Sequence, residues 1–310
     1  MRITIAGDIG SGKTTIAREL ANHAAAEMYS TGGIQRQLAA ARGITTLDLN
    51  RLAETDPSID DQIDSYLKNL PAGNLVVESR MAWRFVPGTK KIFLYVLKQA
   101  AAERILRANR QDESYSLLDD AVLQISERRK SEIKRFGKYY GVNIDDLRNY
   151  DRVIDTTYAS PQAVVDRILK PDSLKERPGI WLNPRNLVAT RGMRHVDQQR
   201  LLEIARRIAE SGFLEDHPLD ALYVDHTFFV ADGHARFAAA VRLNLEYVPL
   251  RLLACEDEPY RADLTARRFV QQAVNETMVR DWESAMGFRY PHPIWRIQPT
   301  GLQVPAKSLC

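Results

Sequence analysis

Residues 7–14 read Gly7-Asp8-Ile9-Gly10-Ser11-Gly12-Lys13-Thr14, with Thr15 next. The pattern G-x-x-x-x-G-K-[ST] lets a chain turn its backbone N–H groups inward around phosphate oxygens, which requires glycines at the close approaches. It follows the apolar run RITIA and opens the helical run TTIARELANHAA, so a helix N-terminus would add its dipole to the cradle. Lys13 is spaced to reach the β- and γ-phosphates, and Thr14 to ligate Mg2+. Residues 7–15 are therefore expected to bind ATP with Mg2+, Thr14 being the metal ligand. The loop by itself does not separate kinases from GTPases or ATPases, which share this cradle.

Other residues bear on that choice. Arg36 and Arg80 lie near the ends of short apolar runs, where side chains of an α/β sheet converge on a ligand crevice. A planar guanidinium suits bidentate phosphate contact, although each arginine taken singly also reads as a surface ion-pair residue. Asp60 and Asp64 stand one helical turn apart, a spacing equally expected of a solvated face. From 103 to 138 the chain carries Arg104, Arg107, Arg110, Arg128, Arg129, Lys130, Lys134, Arg135 and Lys138 in helical, polar surroundings. Together they read as a lid that brings cations over a transferring phosphoryl group, with Arg107, Arg110 and Arg128 as the expected catalytic arginines.

The elements that must hold these residues follow from the apolar pattern. At 310 residues the chain has the length of two domains, and 45% hydrophobic with 27% charged residues is a globular composition. Up to about residue 170, the short apolar runs RITIAG, AEMYS, NLVVES, KIFLYVL and RVIDTT alternate with amphipathic stretches. That alternation predicts an α/β domain over 1–170, a parallel sheet flanked by helices. The segment PDSLKERPGI breaks the pattern, and a linker is expected at 171–178. Beyond it come a helix over 197–211, strands at ALYV and FFVA, a helix over 235–243, a strand YVPLRLL and a long helical segment over 265–286. This predicts a smaller α+β domain over 179–289 with a helical extension, then an irregular tail at 290–310.

Composition excludes several classes. Two cysteines exclude a disulfide framework and a cysteine-rich zinc site. A net charge of +3 gives no overall basic field, so nucleic-acid binding would need a local patch. No run approaches the ~20 apolar residues of a membrane span, and MRITIAGDIG is no signal sequence, so a cytoplasmic protein is expected.

Through about residue 170 the chain resembles the cytidylate kinase family, particularly its short archaeal-type members among the P-loop nucleoside monophosphate kinases. The resemblance rests on the loop, on STGGIQRQLAAARGIT with Ser30, Gly32 and Arg36, and on ETDPSIDDQID with Asp56, Asp60 and Asp64. It continues through VVESRMAW with Glu78 and Arg80, ERRKSEIKRFGKYYG and YDRVIDTT. It implies that Arg36 and Arg80 grip the acceptor phosphate, with Ser30 and Asp60 among the substrate-binding residues near the pyrimidine. Asp8 departs from the small residues or proline usual in that loop. A carboxylate beside the γ-phosphate repels a phosphate acceptor but suits a hydroxyl, which must lose a proton. Glu78 is placed like the acidic base of deoxynucleoside kinases, so either Asp8 or Glu78 is the candidate base. Glu78 reads equally as a partner of Arg80 or of Mg2+-bound water.

Over residues 178–255 the chain resembles the ParB/sulfiredoxin-like superfamily, in IWLNPRNL, in LLEIARRIAESGF leading into HPLDALYVD, and in FVADGHARFAAAVRLNLEYVPL. Asp232, Gly233, His234 and Arg236 would form an anion site at a strand–Gly–helix turn. Ala235 stands where sulfiredoxins carry the catalytic cysteine, which argues against that activity. Arg177, Arg185, Arg191 and Arg194, with Trp181 and no acidic residue between 177 and 195, form a local basic stretch suited to a nucleic-acid backbone or to solvent.

Three functions follow. The first is a kinase phosphorylating the hydroxymethyl group of 5-hydroxymethyluracil in DNA, which resembles phage DNA-hypermodification kinases. The second is a free (d)CMP or related monophosphate kinase, and the third a nucleotide-switched ParB-like DNA-binding protein without transfer activity.

Overall fold

The computed structural model describes residues 1–108, 118–171, 177–213 and 215–290. These form two compact units, Met1–Trp181 and the chain from Leu182 onward. The first unit runs β1 (Arg2–Gly7), α1 (Lys13–His23), β2 (Glu27–Ser30), α2 (Thr31–Ala41), α3 (Thr46–Leu52), α4 (Ser58–Lys68) and β3 (Leu75–Glu78). It continues with α5 (Ala82–Phe85), β4 (Lys90–Tyr95), α6 (Lys98–Ala108), α7 (Leu118–Tyr140), β5 (Arg152–Asp155), α8 (Pro161–Leu169) and β6 (Gly179–Leu182).

Its strands lie in the order β2-β3-β1-β4-β5-β6, every pair parallel. Parallel strands covered by helices on both faces read as continuous apolar runs, and Ile3, Ile5, Val76, Val77, Phe93, Leu94, Val153 and Ile154 are accordingly buried. Arg152, Thr4 and Asp155 are buried polar residues within these strands, and Arg152 is the largest of them. Its guanidinium donates to the carbonyls of Arg167, Ile168 and Lys170 at 2.5, 3.0 and 2.6 Å, satisfying the last turn of α8. The order reverses at β1, whose neighbours β3 and β4 are reached by connections to opposite sides; a ligand crevice is expected at the C-terminal ends of the strands there.

Residues 172–176 of the expected linker lie outside the described residues. Gly179, Ile180 and Trp181 pair in register with β5, and Arg177 bonds Asp151, so the first unit extends past 170 to Trp181. Trp181 is buried, with the Arg167 guanidinium 3.7 Å above its ring. Its ring is therefore covered, contrary to the expectation that it serves the basic stretch.

The second unit contains β7 (Leu187–Ala189), α9 (Gln198–Ser211), β8 (Leu219–Val224), β9 (Thr227–Asp232), α10 (His234–Arg242), β10 (Val248–Cys255), β11 (Pro259–Arg261), β12 (Leu264–Thr265), α11 (Ala266–Ala273) and α12 (Glu276–Met286). The order β10-β8-β9-β7 is mixed, with only β8 and β9 antiparallel. Asp225 and His226 join β8 to β9 with φ of 49° and 64°, the doubly left-handed turn whose twist matches a hairpin. Arg267 fixes this turn, donating to both Asp225 carboxylate oxygens at 2.9 Å. The single helix expected over 265–286 is instead two. Asn275 adopts an extended conformation and its side chain caps the amide of Met278 at 2.9 Å, ending one helix and starting the next. Of the expected tail, Tyr290 is buried and residues 291–310 lie outside the described residues.

Candidate active site

β1 delivers the chain to Gly7, where β4 runs so close that a Cβ would collide with the Leu94 backbone. The loop then turns into α1, whose N-cap residue, Gly12, supplies no side-chain cap. The first amides of the helix are thereby left to a ligand, as an anion cradle requires. Lys13 Nζ curls back to donate to the carbonyls of Gly7 and Asp8 at 3.1 and 2.6 Å. Burial, aided by the nearby Arg80, pushes its ammonium down to about 7, with Glu78 and Asp8 opposing.

A cavity of about 480 Å³ opens over this loop. Its polar wall comprises residues of the loop with Ser30, Arg36, Glu78, Arg80, Arg104 and Arg128, and Ile105, Ala159, Pro161 and Val164 give an apolar wall suited to a base. Glu78, at the end of β3, accepts on Oε2 from Thr14 Oγ1 at 3.1 Å and from Ser30 Oγ at 2.8 Å. A hydroxyl and a carboxylate meeting here are hard oxygen donors of the kind Mg2+ takes, so these residues fit that ion. Arg80 donates through Nε to Glu132 at 2.5 Å, and Arg128 Nε lies 3.4 Å from the same carboxylate. Arg104 donates to the carbonyls of Gly10, Thr156 and Thr157, clamping the loop to the chain after β5.

A second pocket of about 30 Å³ shares Arg80 with the first. Asp60, Asp64, Arg135, Tyr140, Gln35 and Asn50 line it, also with Glu132. Asp60 lies 3.7 Å from Arg135, and both are buried. Burial pushes the Asp60 carboxyl up against the pull of Arg135, and pushes Asp64 up to about 6 against a hydrogen bond from Tyr140.

The cytidylate kinase-like family matches residues 2–158. The chain belongs to the cytidylate kinase-like family. It is an ATP-dependent kinase of the P-loop class. Similar proteins include a cytidylate kinase of Methanosarcina acetivorans, 38% identical over 158 residues, covering 50% of this chain and 87% of that protein. Another is a cytidylate kinase of Methanocella arvoryzae, 39% identical over 179 residues, covering 57% of this chain and 99% of that protein. Among solved structures, a sulfiredoxin from Arabidopsis thaliana is 23% identical with a TM-score of 0.21, covering 24% of this chain and 82% of that one.

The kinase cavity brings together Ile9, Gly10, Ser11, Gly12, Lys13, Thr14, Thr15, Ser30, Arg36, Glu78, Arg80 and Arg128 of the residues expected from the sequence, and Gly7 lies behind its wall. Three expectations need correction or relocation. Arg107 is an exposed helix residue with Glu103 at 3.4 Å, and Arg104, one turn earlier, faces the cavity in its place. Asp8 does not line the cavity: it is buried and its Oδ2 accepts the Val96 amide at 3.0 Å, an anchor to the end of β4 rather than a base beside the phosphates. Asp60 is no solvated face, since it lies in the smaller pocket. Arg110 lies outside the described residues.

In the second unit, Asp232 ends β9, Gly233 has φ of 90°, and His234 opens α10. A Cβ at Gly233 would meet Leu219 Cδ2 at 2.8 Å. His234 Nε2 accepts the Thr190 amide at 3.3 Å, and burial with nearby Arg191 pushes its pKa to about 4, so its ring is neutral above that pH. Arg236 donates to the carbonyls of His217 and Pro218. The turn has the expected shape, but these two side chains engage backbone groups. Among the described residues no cluster of three or more His, Cys, Asp or Glu is placed to hold a metal, and no helix is long and apolar enough to cross a membrane.

Proposed function

We propose that the kinase acts on a pyrimidine nucleotide and that its first acceptor is the hydroxymethyl group of 5-hydroxymethyluracil in DNA. One observation carries the choice of DNA. Little more than half of this chain already spans 99% of a free-standing relative, so the second unit is additional to the kinase body. That unit exposes Arg185, Arg191 and Arg194 in a stretch without acidic residues, a local surface for a phosphate backbone. In this reading Arg36 and Arg80 hold the 5′-phosphate of the target nucleotide, Asp60 and Arg135 face its base, and Glu78 takes the proton of the attacking hydroxyl. Thr14 would hold Mg2+, which would supply positive charge to the β- and γ-phosphate oxygens. A base in a duplex must leave the stack to enter. The Asp232, Gly233, His234 and Arg236 turn is proposed as an anion site by its backbone amides.

A second reading, a free (d)CMP or related monophosphate kinase, is favoured by Ser30, Arg36 and Arg80 sharing one cavity with the loop. The switch without transfer activity has no use for so many cations over the phosphates. Incubation with γ-labelled ATP and Mg2+ tests these readings, offering CMP, dCMP and DNA with or without 5-hydroxymethylpyrimidines. Label in modified DNA is the expected result; label confined to free monophosphates overturns the DNA reading.

A further inference from the structure

Glu132 lies on α7, one turn beyond Arg128, with its side chain only 10% exposed. It is not part of the wall of the larger cavity, yet two of that wall's arginines meet on it from different elements. Arg80, just after β3, donates Nε to Oε2 at 2.5 Å, and Arg128 brings Nε to 3.4 Å from Oε1. Arg129 is 3.9 Å away but has its own carboxylate, Asp145, at 2.6 Å. We infer that Glu132 is a positioning residue for phosphoryl transfer: its two oxygens hold the Nε edges of Arg80 and Arg128, fixing Arg128 toward the place where phosphoryl charge develops and Arg80 beside it toward the acceptor's phosphate.

The physical reason is repulsion. Two guanidiniums sharing one small wall of low dielectric drive each other apart unless a carboxylate lies between them. Burial alone would raise the Glu132 carboxyl, but Arg80, Arg128 and Arg129 outweigh it and hold it below the ordinary range, so the charge is present at working pH. Preorganised cations act on the transition state more than on the bound ground state. A residue that merely stabilises α7 would not distinguish the two.

Glu132→Gln makes that distinction, with kcat read both for the preferred acceptor and for ATP hydrolysis, and the Kd of an ATP analogue read separately. The inference rests on the kinase assignment and not on the acceptor. A wild type that hydrolyses ATP but labels no pyrimidine acceptor defeats the acceptor proposal while leaving this one measurable. We expect kcat to fall about tenfold or more in both assays, with ATP bound as tightly as in wild type or more tightly, because the two wall arginines lose the negative charge behind them. A kcat within about twofold of wild type, or a loss of ATP affinity matching the loss of kcat, overturns the inference. Should that variant fail to fold, Glu132→Asp keeps the charge but is too short to reach both arginines. Reduced kcat with retained ATP affinity then supports the role, and unchanged kcat overturns it.

Discussion

Thr14 Oγ1 donates to Glu78 Oε2 at 3.1 Å, so the hydroxyl at the head of α1 and the carboxylate at the end of β3 meet inside the nucleotide cavity. The other carboxylate near the loop, Asp8, accepts the Val96 amide instead. Glu78→Gln should therefore lower transfer on the order of 10²-fold or more, as loss of a general base does. Asp8→Ala should instead lower stability by about 1–3 kcal/mol by orphaning a buried amide, and should affect hydroxyl and phosphate acceptors by the same factor. Parallel kinetics and chemical denaturation check both; a selective loss of hydroxyl transfer in the Asp8 variant would restore it as the base.

Lys13 titrates near 7 in the buried loop. Triphosphate oxygens favour its charged form, so ATP binding at pH 8 should draw about one proton from solvent, fading below pH 6 where the amine is already protonated. Calorimetry in buffers of different ionisation enthalpy measures this uptake. Lys13→Arg should abolish it, and no uptake by the wild type at pH 8 would contradict the assignment.

The two arginines of α6 should behave differently. Arg104→Ala removes the clamp on Gly10, Thr156 and Thr157 and should raise the KM for ATP about tenfold, the scale of one or two charge-assisted hydrogen bonds. Arg107→Ala removes only an exposed pair and should change stability by less than about 0.5 kcal/mol with activity intact. Steady-state kinetics on the two variants decides between them.

Asp64 carries a pH signature. Its folded carboxyl, about 6, lies above its ordinary value of 3.8, so between these the folded state binds more protons than the unfolded state. Its contribution to stability therefore falls as pH rises through this window, and the penalty is complete above about 6. Asp64→Asn should flatten that part of the profile and raise Tm relative to wild type at pH 7.5 more than at pH 4.5. An equal difference at both pH values would show that Asp64 is not the group responsible.

The parallel sheet and the loop were legible because strands buried on both faces are written as short apolar runs, and because the glycine spacing follows a single β1-to-α1 turn. Glu78 and Arg80 were legible for the same reason: a residue at the end of β3 or just past it faces the crevice wherever such a sheet forms, whereas Ser30 rested on the family resemblance. The cations between 103 and 138 were legible as a charged region but not by residue. Arg104 and Arg107 differ by three positions on one helix, so periodicity places them on nearly the same face, and only the approach of Gly10 and Thr156 selects the former. Glu132 is hidden in ERRKSEIKR, where a carboxylate among cations looks like surface pairing until tertiary packing buries it. Asp8 was misread because its direction depends on an amide 88 residues away in sequence.

Arg80 belongs to the walls of both cavities. A side chain common to two ligands makes their affinities thermodynamically inseparable: whatever factor the acceptor adds to the binding of ATP, ATP must return to the binding of the acceptor. A free nucleotide and a base presented on a polymer would each meet that same guanidinium. Competition among acceptors would then depend on how much ATP is already bound, and changing the ATP concentration alone would change the ranking of substrates whose contacts with Arg80 differ.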